Sequence, residues 1–478
     1  MVIDYYEAQK QARARNNVQE GFELISKALE KDPRFAKGHL FKAQMEMAMS
    51  NQAASKASLK KALELSSALP ERSQLQIKFN YLTQTENLQK GIALLEMWSQ
   101  LYPKDFNPYV QLFSFYSQLN EINKAVSIGE RAIENGHQNT MSLRLAGLYN
   151  AIGEFDKSKS TLDSYISEFP NKAKENYKIG ELYIQQGEFE KAKQHFEKIE
   201  LLKPTEYKPA LHLGEIARKR LDFKTEQKKY KQALSNAKIA QDSIAVYNIM
   251  ETSLYYQGKI DDCNTLMFNK WNLQETFTPP IYVDIQRLVY PYLRRMIEAG
   301  EPERIDEHVQ SIAKKYVNGP DFFKCLVEMN YGLATEDMDK INNISEECMA
   351  MNSEAGGEAT AIFMEAFIAK VKGDCKNALS LIESYTEKTG LPNTNLAELM
   401  GDCYIQVGEH QKALDLLNVQ LKANPEVASA HIFKAKALKG LGKNTEAKAS
   451  YDMAMKIWEN SDKNFLPYQQ ALEFGKEL

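Results

Sequence analysis

A chain of 478 residues that is 43% hydrophobic and 26% charged, with only 23 glycines and 15 prolines, is too apolar for a disordered chain and too poor in helix breakers for many long loops. Its 60 basic and 64 acidic residues leave a net charge of −4, which gives nucleic-acid binding no support. No apolar run is long enough to span a bilayer and no charged-then-apolar leader opens the chain, so neither a signal segment nor membrane insertion is expected.

From the N-terminus onward, apolar residues recur at the three- and four-residue steps of amphipathic helices, and no alternating strand pattern of any length occurs. Pro33, Pro70, Pro103, Pro170 and Pro204 stand close to whole multiples of a single period apart. Helical units are expected to start near Val2, Ala36, Gln74, Asp105, Asn139, Ala173 and Glu206. The clearest is IGELYIQQGEFEKAKQHFEKIELLKP at 179–204. Ile179, Leu182 and Tyr183 share a face before Gly187, while Phe189, Ala192, Phe196 and Ile199 share one after it. The stretch therefore reads as two helices turning at Gly187 and closed by Pro204. Glycine inside a helix costs roughly 1 kcal/mol against alanine, so Gly180 marks a place where two helices come too close for a side chain. LAGLYNAIGEFDKSKSTLDSYISEFP at 145–170 carries the same pattern one period earlier, and LGEIARKRLDFKTEQKKYKQAL from Leu213 continues it one period later.

Between about Ala240 and Gly357 the register drifts, and three longer helix pairs are expected at 243–269, 282–316 and 322–348. Within NLQETFTPPIYV, Pro279 and Pro280 exclude a helix and mark a break between an N-terminal array, 1–271, and a C-terminal one, 281–478. Regular units resume near Ala359, Thr394 and Ala428, where MGDCYIQVGEHQKALDLLNVQLKANP at 400–425 nearly copies 179–204 and Gly408 pairs with Gly442. FLPYQQALEFGKEL at 465–478 is expected to cap the last unit with Phe465, Tyr468, Leu472 and Phe474.

These units resemble the tetratricopeptide repeat, a helix-turn-helix module of roughly 34 residues with small side chains where its helices cross and a proline at its end. The resemblance implies an all-α fold, a right-handed superhelix (α-solenoid) of about 13 repeats in which each repeat packs only on its neighbours. It also implies a concave groove lined by the first helix of each unit, a protein or peptide partner, and no catalysis. By that geometry the groove-facing residues are Asn80, Gln111, Arg144, Asn150, Lys174, Tyr177, Lys178, Glu181, His212 and Arg218. From Arg144 to Arg218 five basic residues, counting His212, stand against Glu181 and Glu215, a balance suited to an acidic or phosphorylated segment. A narrower resemblance joins ARARNNVQEGFELISKALEKDPRFAKGHLFKAQ, the tract 69–112 and MKIWENSDKNFLPYQQALEF to the repeat region of bacterial multidomain regulators that carry a Ser/Thr kinase, a nucleotide cyclase or a winged helix. It implies a recruitment or sensing part, cytoplasmic, or periplasmic within a membrane-spanning regulator. The kinase signatures themselves are absent: there is no glycine-rich loop, HRD or DFG. A structural solenoid that self-associates through its ends or convex face, as a homo-oligomer, is the alternative.

Other chemistry has little foothold. Cys263, Cys325, Cys348, Cys375 and Cys403 lack metal-type spacing and read as small buried residues. The seven histidines form no metal-ligating pair, GLGKN at 440–444 reads as an inter-helix turn, and GGEAT at 356–360 as a helix entrance. Met329, Met338, Met349, Met351 and Met364 are either an adaptable apolar surface or core filler. No metal, cofactor or catalytic residue is expected.

Overall fold

The computed structural model describes residues 6, 7, 9, 18–49, 51–85, 88–316, 321–342, 362, 364–389 and 396–478. Every regular element among them is helical, and the helices follow one another as consecutive pairs, so the fold is all-α as read. The unit expected near Val2 begins outside the described residues, as do Cys348, Met349, Met351, the GGEAT tract and the unit starts at Ala359 and Thr394.

The chain divides into two compact units. The first runs to Gln118 and includes Lys124–Met141; the second comprises Leu119–Asn123 and Ser142–Leu478. In the first, Ala36, Leu40, Ala43, Leu59, Ala62 and Ile77 interlock across the helices Ala36–Ala48, Gln52–Glu64 and Glu71–Thr85. Asn51 caps the second of these by accepting from the Ala54 N–H. Ser55 donates to the Ala43 carbonyl at 2.8 Å, and its hydroxyl stands 3.0 Å from the Gln84 side-chain amide, tying one pair to the next.

The second unit repeats this device. Ser158 donates to the Ala146 carbonyl at 2.8 Å and accepts from Gln186 Nε2 at 3.0 Å. The helices Tyr177–Gln185 and Phe189–Leu202 turn at Gly187, whose φ of +75° only glycine adopts freely. A Cβ on Gly180 would run into the Phe196 ring, which is the close approach the sequence implies. Leu221, one repeat period after Gly187, takes the same left-handed turn at φ +59° without being glycine. Pro170, read as a stop, instead opens the four-residue helix Pro170–Ala173.

The expectation that each repeat meets only its neighbours fails in this unit. The tract 423–464 packs across the tract 218–300, far away in sequence. Trp458 Nε1 donates to the Tyr256 carbonyl at 3.0 Å, the Asp462 N–H to the Gly258 carbonyl at 3.0 Å, and Asn464 Nδ2 to the Ala299 carbonyl at 2.7 Å. Ile260, Cys263 and Ala299 share one apolar cluster with Ala428, Ile432, Ala454, Trp458 and Phe465.

The divergent middle resolves as Ala240–Tyr256 and Ile260–Gln274, then Pro280–Arg287, Tyr290–Glu298 and Pro302–Ala313, then Asp321–Thr335 and Met338–Asn342. Pro280 does not exclude a helix: it occupies a first-turn position, where its missing N–H has no partner to lose. Buried ions replace apolar contacts here, with Glu251 holding both Lys270 and Arg295. Met329 is core and Met364 packs beside it, whereas Met338 is exposed, so the described methionines form no apolar row. Cys375 and Cys403 are buried as expected but joined in a disulfide, with Cα atoms 5.0 Å apart, which spacing had not suggested. Cys263 is free and buried, and burial pushes its thiol up to about 12.

The closing helix Leu466–Gly475 buries Ala471 and Phe474, and Phe465 just before it is also buried; Leu472 is 40% exposed and takes no part in the cap. Among the described residues no helix is long and apolar enough to cross a membrane.

Candidate functional site

The residues read as groove-facing fall in both units and are taken separately. In the first unit, Gln111 is exposed, while Asn80 is half-buried and spends its amide on the Gln76 carbonyl of its own helix at 2.8 Å.

In the second unit the stretch 142–151 and the first helices Tyr177–Gln185 and Tyr207–Lys219 carry seven of the remaining eight, and Lys174 directly follows the short helix Pro170–Ala173. Arg144 and Lys174 are exposed. Lys178 lies beside Gly147, where a Cβ would stand 3.6 Å from its Cε, so glycine leaves room for the lysine stem across the helix pair. The Lys178 ammonium pairs with Glu181 at 3.3 Å. His212 stands 3.8 Å from Glu181 and 3.4 Å from Glu215, with its ring stacked on Phe196 at 4.4 Å. Burial alone would raise the Glu215 carboxyl, but the His212 hydrogen bond and the Arg218 charge hold it below the usual range. Tyr177 donates to Glu206 at the start of the next first helix, and burial with that carboxylate pushes its phenol well up. Lys178, Glu181, His212 and Glu215 thus form one chain of polar contacts, and its two carboxylates make it less basic than the count of residues implies.

Two residues of the set are committed elsewhere. Asn150 is buried and exchanges hydrogen bonds with Gln185 at 3.3 Å and Gln186 at 3.4 Å, which makes it a tie between repeats. Arg218 is 5% exposed, with Nε 3.2 Å from Glu426 Oε1 and an N–H directed to the Ile249 carbonyl at 3.4 Å. Its neighbour Lys219 donates to the Ala423 carbonyl at 2.9 Å and to Asn424 at 2.8 Å. Where a partner was expected to meet Arg218, the chain's own residues 423–426 sit.

Sequence reasoning missed Glu426 and Glu226. Glu426 lies in the loop before Ala428–Gly440 and has no periodic signature. Glu226 was detectable: five positions after the turn the repeats carry Ser158, Ala192, Cys263, Ala413 and Ala447, and only this one carries a carboxylate. It is 1% exposed, accepts from Gln257 at 3.3 Å, and has no partner at Oε1 among the described residues. Burial pushes its carboxyl up to about 7.

Two stretches, residues 141–172 and 176–206, match tetratricopeptide repeat family models. These segments are tetratricopeptide repeats. Such repeats fit a protein-interaction scaffold. No curated protein matches the chain. Among solved structures, the crystal structure of the APC/C hetero-tetramer Cut9–Hcn1 is similar at 13% identity, covering 98% of this chain and 96% of that one with a TM-score of 0.36, a likeness too loose to carry an argument.

Proposed function

We propose that the tetratricopeptide tract of the second unit holds an extended segment of a partner protein along its first helices, and that the chain performs no chemistry of its own. The observation that carries this reading is the polar strip that runs from Lys178, beside Gly147 of the preceding first helix, through Glu181 to His212 and Glu215, and ends where residues 423–426 meet Arg218. Arg144 and Lys174 are exposed basic residues of the same tract, so the partner segment carries acidic or phosphorylated residues. The resemblance to bacterial multidomain regulators extends the proposal to recruitment or sensing on behalf of an attached catalytic part. A disulfide such as Cys375–Cys403 favours an oxidising compartment, hence the periplasmic alternative over the cytoplasmic one.

An array of acidic, neutral and basic peptides tests the reading. Acidic peptides are expected to bind, with affinity falling about tenfold in the Arg144→Ala/Lys174→Ala double variant, as loss of two charge-assisted contacts predicts. Equal binding of basic peptides, or an unchanged affinity in the variant, contradicts the groove. A second reading, self-association, is favoured by Leu201, which is 83% exposed beside exposed Leu202. Sedimentation decides it: a monomer across the micromolar range removes that reading.

A further inference from the structure

The closure of the second unit on itself forms a partly open cavity of about 300 Å³, the lower end of the range for small-ligand sites. Its walls come from both sides of that closure: Tyr255, Tyr256 and Glu298 from the middle tract, Glu398, Ser429 and Trp458 from the C-terminal repeats. It lies apart from the strip at 178–215 and shares no residue with it.

The carboxylates of this chamber are matched within the chain, with one exception, and one of its cations, Lys436, has no carboxylate partner among the described residues. Glu298 accepts from the Tyr255 hydroxyl at 2.9 Å and pairs with Arg294 at 3.4 Å. Asp402 faces Lys370 at 3.7 Å. The Lys436 ammonium lies over the Phe433 ring, 5.4 Å from its centre. Glu398 alone has only neutral company, accepting from the Ser429 hydroxyl and from Gln420 Nε2 at 3.3 Å, with no ion pair among the described residues. Burial raises its pKa. A half-buried carboxylate held by neutral donors retains part of a desolvation cost that a cation would relieve. The Tyr255 and Tyr256 rings already hold the Arg295 and Arg218 guanidiniums, 4.8 Å and 6.0 Å from their centres, and the Trp458 ring adds a further π face to which an organic cation is drawn.

We propose that this chamber binds an alkylammonium group, with Glu398 as its counter-ion and the rings of Tyr255, Tyr256 and Trp458 around it. The ammonium comes from a free small amine or from a lysine side chain of a bound segment, since both present the same head on an alkyl stem. A ligand seated there touches both sides of the closure and therefore stabilises it.

Isothermal titration of the full chain with 1,5-diaminopentane, with an acetyl-lysine amide and with 1,5-pentanediol tests the site. Saturable binding of the diamine that the diol does not reproduce supports the proposal with a free-amine source. Binding of the lysine amide alone supports it with a side-chain source. In Glu398→Gln, which keeps an acceptor for Ser429, affinity is expected to fall at least tenfold while the helical signal is unchanged. Absence of binding by both amines, binding of the diol as tight as that of the amines, or equal affinity in a folded Glu398→Gln overturns it. The diol comparison uses the unaltered protein, so the test survives a variant that fails to fold.

Discussion

The tract 142–206 and the tract 207–300 are adjacent in sequence, yet they are stabilised in different ways. In the first, small residues and rings fill each helix crossing, as where Gly180 meets Phe196, and polar ties are short and neutral, as between Ser158 and Gln186. In the second, buried charges take over: Arg218 with Glu426, Glu226 without a cation at hydrogen-bond distance, and Glu251 between Lys270 and Arg295. An apolar crossing needs only its neighbour, so such a repeat is interchangeable with the next. A buried charge needs one particular partner, and Arg218 finds its partner 208 residues away, which pins the C-terminal repeats to one place.

The contrast is broken most directly at its distant pair. Glu426→Ala leaves Arg218 and Lys219 buried without their carboxylate and is expected to destabilise the closure by roughly 3–5 kcal/mol, read as an early urea transition of the C-terminal repeats. Removing the Cys375–Cys403 disulfide, whose cysteines are 28 residues apart, is expected to cost roughly 3–4 kcal/mol, seen as a lower Tm in the Cys375→Ser/Cys403→Ser double variant.

Glu226 offers a pH test. Its folded carboxyl titrates near 7, above its ordinary 4.5, so the folded state binds a proton in that window that the unfolded state has released. The stability it contributes is fully present below about 4.5 and lost as pH rises through about 7, a difference of roughly 3 kcal/mol at most. Glu226→Gln should flatten this dependence and be the more stable protein at pH 8; a wild-type stability that does not fall between these values contradicts the assignment. The smallest effect belongs to the regular tract. Gly180→Ala must displace the Phe196 ring, at a cost of roughly 1–3 kcal/mol in urea melts, and should leave the distant closure intact.

The regular tract was legible because its physics is local. Gly187, Gly408 and Gly442 announce left-handed turns, and Gly180 a close crossing, within single repeats. The middle was not, because Glu251, Lys270 and Arg295 interrupt the apolar period that sequence reading relies on while remaining inside the core. Leu221 hid a turn by occupying a glycine position. Among the candidate site residues, Arg144 is exposed and Lys178 and Glu181 are half-buried. Arg218 has the same sequence signature but a different fate, since nothing near it in the chain announces Glu426. The cavity beside Glu398 was invisible for the same reason: its walls are assembled only by the closure.

Hydrogen exchange at Asp462 tests that closure most directly. Its N–H donates to the Gly258 carbonyl across the closure, so in the closed unit it should exchange as slowly as the amides of the Asn444–Ile457 helix and speed up in Glu426→Ala. Exchange at the rate of an exposed loop in the unaltered protein, with that helix still protected, would contradict a second unit folded back on itself.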